Sequence, residues 1–226
     1  MSELLRTAGL IFRKELRVEA RSGEVLVTST LFATLIAVLA SMSLYINPQT
    51  AKQVAPGVLW IAIAFAGVLA MGRSWARERE HDAFRGLLLS PAPRPALYLG
   101  KLAASLLLLS FVEVVLVLEI AVLFNLELGS MLGPLALLLV LGSIGFAATG
   151  NLFAALGVRT RARDMLLAVV VFPLVAPALL CGVVGTRELF AGATMAEIGD
   201  WIRILAAFDL IILTAAFWLF EALVSD

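Results

Sequence analysis

The sequence predicts an all-α integral membrane protein: six transmembrane helices preceded by an N-terminal amphipathic interfacial helix. Three observations carry this. Hydrophobic residues make up 62% of the 226 positions, where soluble domains run about 45–50% apolar. Six apolar runs approach or exceed the roughly 20 residues that cross a hydrocarbon core. Lysine and arginine gather in alternate connections between those runs. Formal net charge is zero, with 17 basic and 17 acidic residues, which excludes a basic nucleic-acid-binding surface of the usual kind.

Residues 1–24 are expected to form the amphipathic helix. Charges run through them (Glu3, Arg6, Arg13, Lys14, Glu15, Arg17, Glu19, Arg21, Glu24), so no apolar core of a secretory signal is present. At helical spacing Leu5, Ala8, Phe12 and Leu16 share a face, with Arg6, Arg13, Lys14 and Arg17 around the other side, the pattern of a helix lying along a membrane. The membrane domain then occupies 25–226, with spans at Val25–Ile46, Val54–Gly72, Ala96–Phe124, Met131–Val158, Met165–Gly185 and Ile202–Val224. One further short interfacial helix is expected around Met195–Trp201.

Fourteen of the 17 basic residues fall in the N-terminal segment, the connection after span two (Arg73, Arg77, Arg79, Arg85, Arg94, Lys101) and the connection after span four (Arg159, Arg161, Arg163). Lys52, Arg187 and Arg203 fall on the other side. The excess of positive charge on the cytoplasmic side of membrane proteins places both termini in the cytoplasm.

The connection over 73–95 is the largest interior segment that meets water. Arg77-Glu78-Arg79-Glu80 reads as a solvated helix end. Ala83, Phe84, Leu87 and Leu88 then form an apolar stripe on a short helix, which Ser90-Pro91 stops, and Pro91, Pro93 and Pro95 hold the chain extended up to span three. The stripe either packs on the membrane surface or inserts into a groove of a soluble partner.

These residues also carry a resemblance. Ala55-Pro56-Gly57-Val58-Leu59-Trp60, Phe65-Ala66-Gly67, the Arg77–Glu80 run, Arg85-Gly86-Leu87-Leu88-Leu89-Ser90-Pro91 and Leu99-Gly100-Lys101 resemble the CcmB family, within the ABC-2 class of transporter permeases. Arg159-Thr160-Arg161-Ala162-Arg163-Asp164 and Phe172-Pro173-Leu174-Val175-Ala176-Pro177 are similar to the family's fourth connection and fifth span. The likeness covers nearly the whole chain. His81-Asp82-Ala83 departs from it, since relatives more often carry an acidic or amide residue at the first position, so no role is assigned to His81.

The resemblance implies a permease subunit of the bacterial cytoplasmic membrane, serving heme delivery for c-type cytochrome assembly. It implies that Glu78, Arg79, Glu80, Phe84, Arg85, Leu87, Leu88 and Pro91 belong to a coupling segment docking on a CcmA-like ATP-binding cassette subunit, present in two copies. A CcmC-like heme-handling membrane protein and a small CcmD-like subunit are the other implied partners, with heme as cargo of the complex. An exporter of lipid, glycan or drug is the alternative within the class. The chain has no G-x-x-x-x-G-K-[ST] loop; Gly100-Lys101 lacks the preceding glycine and is followed by Leu102. ATP therefore belongs to another chain, and this one is expected to be non-catalytic. An intramembrane enzyme would show clustered Asp, His or Ser-His pairs at a membrane face, and the sequence offers none. A secondary transporter would show an internal repeat between its halves, and none is convincing.

Inside the spans, Glu113, Glu119, Asn151 and Asp209 are the polar candidates. Acidic residues at the bilayer centre cost roughly 2.5–3.5 kcal/mol, so each should face protein or water. Glu113 and Glu119 lie about 240° apart around one helix and do not form one site; Asn151 is expected to partner a carboxyl. His81 is the sole histidine and Cys181 the sole cysteine, so the spans hold no histidine or cysteine pair to ligate heme. This favours ATP-driven release of a heme-loaded chaperone over passage of heme through the chain. Gly142, Gly145, Thr149, Gly150, Ala154 and Gly157 form a small-residue stripe for close helix packing, within the chain or between copies. Pro173 and Pro177 should kink span five. Trp60, Trp75, Trp201 and Tyr45 read as interfacial anchors.

Overall fold

The structure, a computed structural model, describes residues 2–43, 48–80, 86, 89, 93–159 and 167–225. Among them run seven α-helices: α1 (Ser2–Ser22), α2 (Glu24–Ser43), α3 (Pro48–Glu80), α4 (Arg94–Leu123), α5 (Leu132–Arg159), α6 (Phe172–Phe190) and α7 (Gly199–Ser225). Helices α2 to α7 are each long and apolar enough to cross a membrane, so the chain is a multi-pass membrane protein of all-α class. Tyr45 and residues 160–166, with Arg161 and Arg163, lie outside the described residues.

Local chemistry sets the helix ends. Gly23 joins α1 to α2 at φ +63°, a left-handed conformation that glycine adopts without a Cβ clash. Its N–H donates to the Glu19 carbonyl at 2.7 Å. Pro48 opens α3, where a missing N–H costs nothing. Pro93 precedes α4, with Pro95 in its first turn. At 33 residues, α3 is about 50 Å long, well beyond the hydrocarbon thickness. Its last turns, from Arg73 on, carry charged residues and remain helical to Glu80.

Helix α3 runs through the middle of the bundle and touches α2, α4, α5 and α6. Its large side chains enter glycine-lined hollows. Trp60 lies between Gly142 of α5 and Gly182 of α6; a Cβ on Gly182 would come within 2.5 Å of the indole. The indole N–H donates to Thr186 Oγ1 at 3.0 Å. Phe146 fills the space over Gly67, Met71 that over Gly150, and Phe208 of α7 that over Gly145. The small-residue stripe thus packs against neighbours within the chain.

Three expectations change. Trp60 and Trp75 are fully buried and are not interfacial anchors. Opposing glycines make room for the Trp60 ring, and each indole N–H finds a partner inside. Residues 195–198 form turns leading directly into α7 instead of a separate helix. Thr194 closes the first of these turns, its N–H and hydroxyl both donating to Glu197 Oε2, which holds that carboxyl below its ordinary value. The irregularity expected at the prolines falls ahead of them, as a π-helical turn at Leu167–Val171. Pro173 has no N–H to complete an α-helical ladder, and a wider turn absorbs that loss; α6 then continues through Pro177.

Gly142→Val would overpack the Trp60 hollow and should destabilise the bundle by about 1–3 kcal/mol. Gly57→Ala, where an added Cβ meets nothing within 4 Å, should be neutral or stabilising. Thermal unfolding in detergent distinguishes the two.

Candidate coupling site: a buried charge cluster where α1, α3 and α4 meet

Four elements meet at one end of the bundle: α1, the start of α2, the last turns of α3 and the first turns of α4. At the centre is Lys101, seven residues into α4 and 1% exposed. Its ammonium lies 3.0 Å from Glu15 of α1 and 3.1 Å from Glu78 of α3. Lys14 closes the group, 2.9 Å from Glu15 and in direct ion contact with Glu78. Two cations and two anions therefore neutralise one another where an isolated charge would be costly. Ser74 lies 3.4 Å from both Glu15 and Lys101. Lys101 also sits 4.7 Å from the Trp75 ring centroid, a favourable place for a desolvated cation.

A glycine permits the approach. A Cβ on Gly100 would stand 2.7 Å from both the Ala8 carbonyl oxygen and Ile11 Cβ, so α1 rests against the α4 backbone. Beside this contact a second, more exposed cluster ties α3 to the α1–α2 corner. Arg77 bonds Glu19 at 3.0 Å and Glu24 at 3.4 Å, and Arg73 bonds Glu24 at 2.6 Å. Glu19 also accepts the Leu26 N–H at 2.7 Å, capping the N-terminus of α2, where the helix dipole favours an anion.

The cluster reaches into the membrane bundle through Trp75. Its indole N–H donates to Asn151 Oδ1 at 2.9 Å; the Ser105 hydroxyl bonds the same oxygen at 3.3 Å, and the Asn151 amide donates to the Ala147 carbonyl. Tyr98 donates to the Ala148 carbonyl at 2.8 Å. The Trp75 and Tyr98 rings both pack on Phe220 of α7. Helices α1, α3, α4, α5 and α7 are thereby joined at this end.

The predicted residues are distributed as follows. Glu78 lies in the cluster and is buried, and Arg77 beside it is paired with Glu19 and Glu24, so this stretch is not the solvated helix end that alternating charge suggests. Arg79 and Glu80 close α3, their side chains outside the described residues; Phe84, Arg85, Leu87, Leu88 and Pro91 lie outside them as well. From that segment Gly86 and Leu89 are described, both exposed. Asn151 serves Trp75 and Ser105 instead of a carboxyl. Glu113 accepts a hydrogen bond from Ser143, Glu119 one from Thr34 at 2.7 Å, and Asp209 packs against Gly145. The three carboxyls thus lie at three separate helix contacts. Glu113 also borders an apolar groove of about 250 Å³ between α4 and α5.

Sequence reading missed Lys14, Glu15 and Lys101. A signal was available: Glu15 falls on the side of α1 shared by Leu4, Ala8 and Ile11, and Lys101 stands inside an apolar run. Each implies a partner of opposite charge.

A multi-pass membrane protein with a charge-locked N-terminal helix is the class these features define. The chain matches the family model described as CcmB protein over residues 6–225, and it belongs to that family. It is 27% identical over 203 residues to the heme exporter protein B of Bradyrhizobium diazoefficiens, covering 89% of each chain. The Pseudomonas aeruginosa protein of that name is 29% identical over 176 residues, 76% of this chain and 77% of that one. The Escherichia coli K12 protein is 32% identical over 94 residues, 42% and 43% of the two chains.

Two outcomes are expected. Lys101→Met leaves two carboxylates facing one lysine and should cost about 3–5 kcal/mol, most of it recovered in the Lys101→Met/Glu78→Gln double variant; unfolding in detergent measures both. Burial opposes ionisation of Glu15, but Lys101 and Lys14 outweigh it and hold the carboxyl at about 2. A carboxyl depressed in the folded state contributes stability above its unfolded pKa of about 4.3, lost as pH falls toward the folded value. Docking of α1 should therefore be retained at pH 5 and weaken between about 4 and 2. Amide exchange over residues 4–20 reads this directly, and Glu15→Gln should remove the transition.

Proposed function

We propose that this chain is the membrane subunit of an ATP-binding cassette complex that serves heme export for c-type cytochrome assembly. Membership in the CcmB family, with relatives named heme exporter protein B, supports the cargo. The observation that carries the coupling role is the charge cluster. A force applied within the 73–95 segment passes into α3 at Glu78 and into α4 at its first turn, and Lys101 joins both to α1. The segment is thus mounted on a rigid junction, from which Trp75 leads to α5 and α7.

In this reading Phe84, Leu87 and Leu88 dock into a groove of a CcmA-like ATPase subunit, two copies of which drive the complex, while Glu78, Arg79, Glu80, Arg85 and Pro91 orient the stripe. CcmC-like and CcmD-like subunits share the complex. Both termini face the cytoplasm of a bacterium, because the charge excess lies at the α1 end of the bundle. The chain itself is non-catalytic. ATP hydrolysis on the partner remodels the heme-carrying assembly and releases a loaded chaperone.

Replacing Phe84 and Leu87 with Asp should abolish co-purification with the ATPase subunit while membrane insertion persists; unchanged co-purification defeats the docking role. Deleting the chain from its host should remove covalent c-type cytochromes and spare b-type ones, as read by heme-stained gels; normal c-type cytochromes would overturn the cargo.

A further inference from the structure

Helix α1 segregates its charges. Glu15 and Glu19 turn inward and pair with Lys14, Lys101 and Arg77. Arg6, Arg13, Arg17 and Arg21 are all exposed and make no ion pair among the described residues. Their spacing places them within an arc of about 80° around the helix, roughly opposite the face of Ile11, Glu15 and Glu19. Leu10, 57% exposed, falls within the same arc, and Leu5, 63% exposed, lies about 80° to one side of it. Glu3, one turn before Arg6, is the one α1 acid on this face, so the row keeps a net positive charge; with exposed leucines beside it, it needs an anionic and partly apolar partner.

We infer that this face of α1 binds anionic phospholipid, its arginines on headgroup phosphates and its leucines among the upper acyl chains. Position supports lipid over a soluble acidic protein. One glycine separates α1 from the α2 span, and α1 packs on α4 at Gly100, a few residues after that span begins. The helix is therefore held at headgroup level. Its inner face grips the coupling junction while its outer face grips the leaflet, so anionic lipid stabilises the docked position of α1. The inference does not depend on the cargo or on the ATPase partner.

The test uses the full chain in nanodiscs, with Cys181→Ala and a fluorophore on Leu10→Cys. Quenching by brominated phosphatidylglycerol is compared with brominated phosphatidylcholine at equal mole fraction. A basic residue at this depth enriches anionic lipid about five-fold, so phosphatidylglycerol should quench several-fold more strongly. That preference should vanish in high salt and in the R6Q/R13Q/R17Q/R21Q variant. The four-lysine variant should keep it, because headgroup attraction here follows charge more than guanidinium geometry. Equal quenching by the two lipids in the starting protein, a comparison needing no arginine variant, overturns the inference. Loss of the preference on replacing chloride by inorganic phosphate at equal ionic strength would mark a free-anion site and also overturn it. A preference that survives the glutamine variant, with loss of a soluble partner instead, would assign the stripe to protein binding.

Discussion

The structure depends on one buried ammonium. Lys101 sits at the foot of α4 with 1% of its surface exposed, inside a predominantly apolar helix. A charge there is tolerated only with anions held against it. Glu15 and Glu78 supply them from two other helices, and Lys14 restores neutrality. Three helices are thus fixed together by electrostatic necessity at the point where the chain leaves the apolar layer. Helix α1 contributes two of the four charges, so it is part of the junction and not merely a helix resting on the membrane.

Polar contacts are placed with the same economy through the bundle. Apolar burial does not distinguish one helix contact from another in lipid, so specificity comes from close packing and scattered hydrogen bonds. Glycines on α5 and α6 receive the rings and long side chains of α3 and α7, and single bonds such as Trp60 to Thr186 and Trp75 to Asn151 fix register. Glu113 and Glu119 are accommodated by one hydroxyl each. Their separation argues for three local accommodations, Asp209 included, over one polar pathway through the membrane.

The proposed function calls for a stiff connection between the surface that a soluble ATPase would push and the helices that move. Ionic contacts provide stiffness where a helix end meets water, because they are directional and pay for themselves only in a narrow geometry. From Glu78 the contacts run through Lys101 and Trp75 to Asn151, an unbroken series of side-chain contacts from the end of α3 to α5. Phe220 links the same aromatic pair to α7.

Sequence alone determined the class: six spans, an amphipathic lead helix and a charge asymmetry, because span length and apolar continuity are properties of contiguous residues. The small-residue stripe on α5 was legible for the same reason. Tertiary structure decided what those residues meet. Trp60 and Trp75 read as interfacial by their position near span ends, yet glycines of two other helices take in Trp60, and Asn151 and Phe220 hold Trp75 inside. Arg77 and Glu78 read as a solvated helix end, yet partners 58 and 64 residues earlier claim them. Asn151 read as a partner for a carboxyl, and Trp75 and Ser105 reached it first. A helical pattern records which side chains share a face, but the partner that neutralises a buried charge lies far along the chain, and only folding brings it within 3 Å of Lys101.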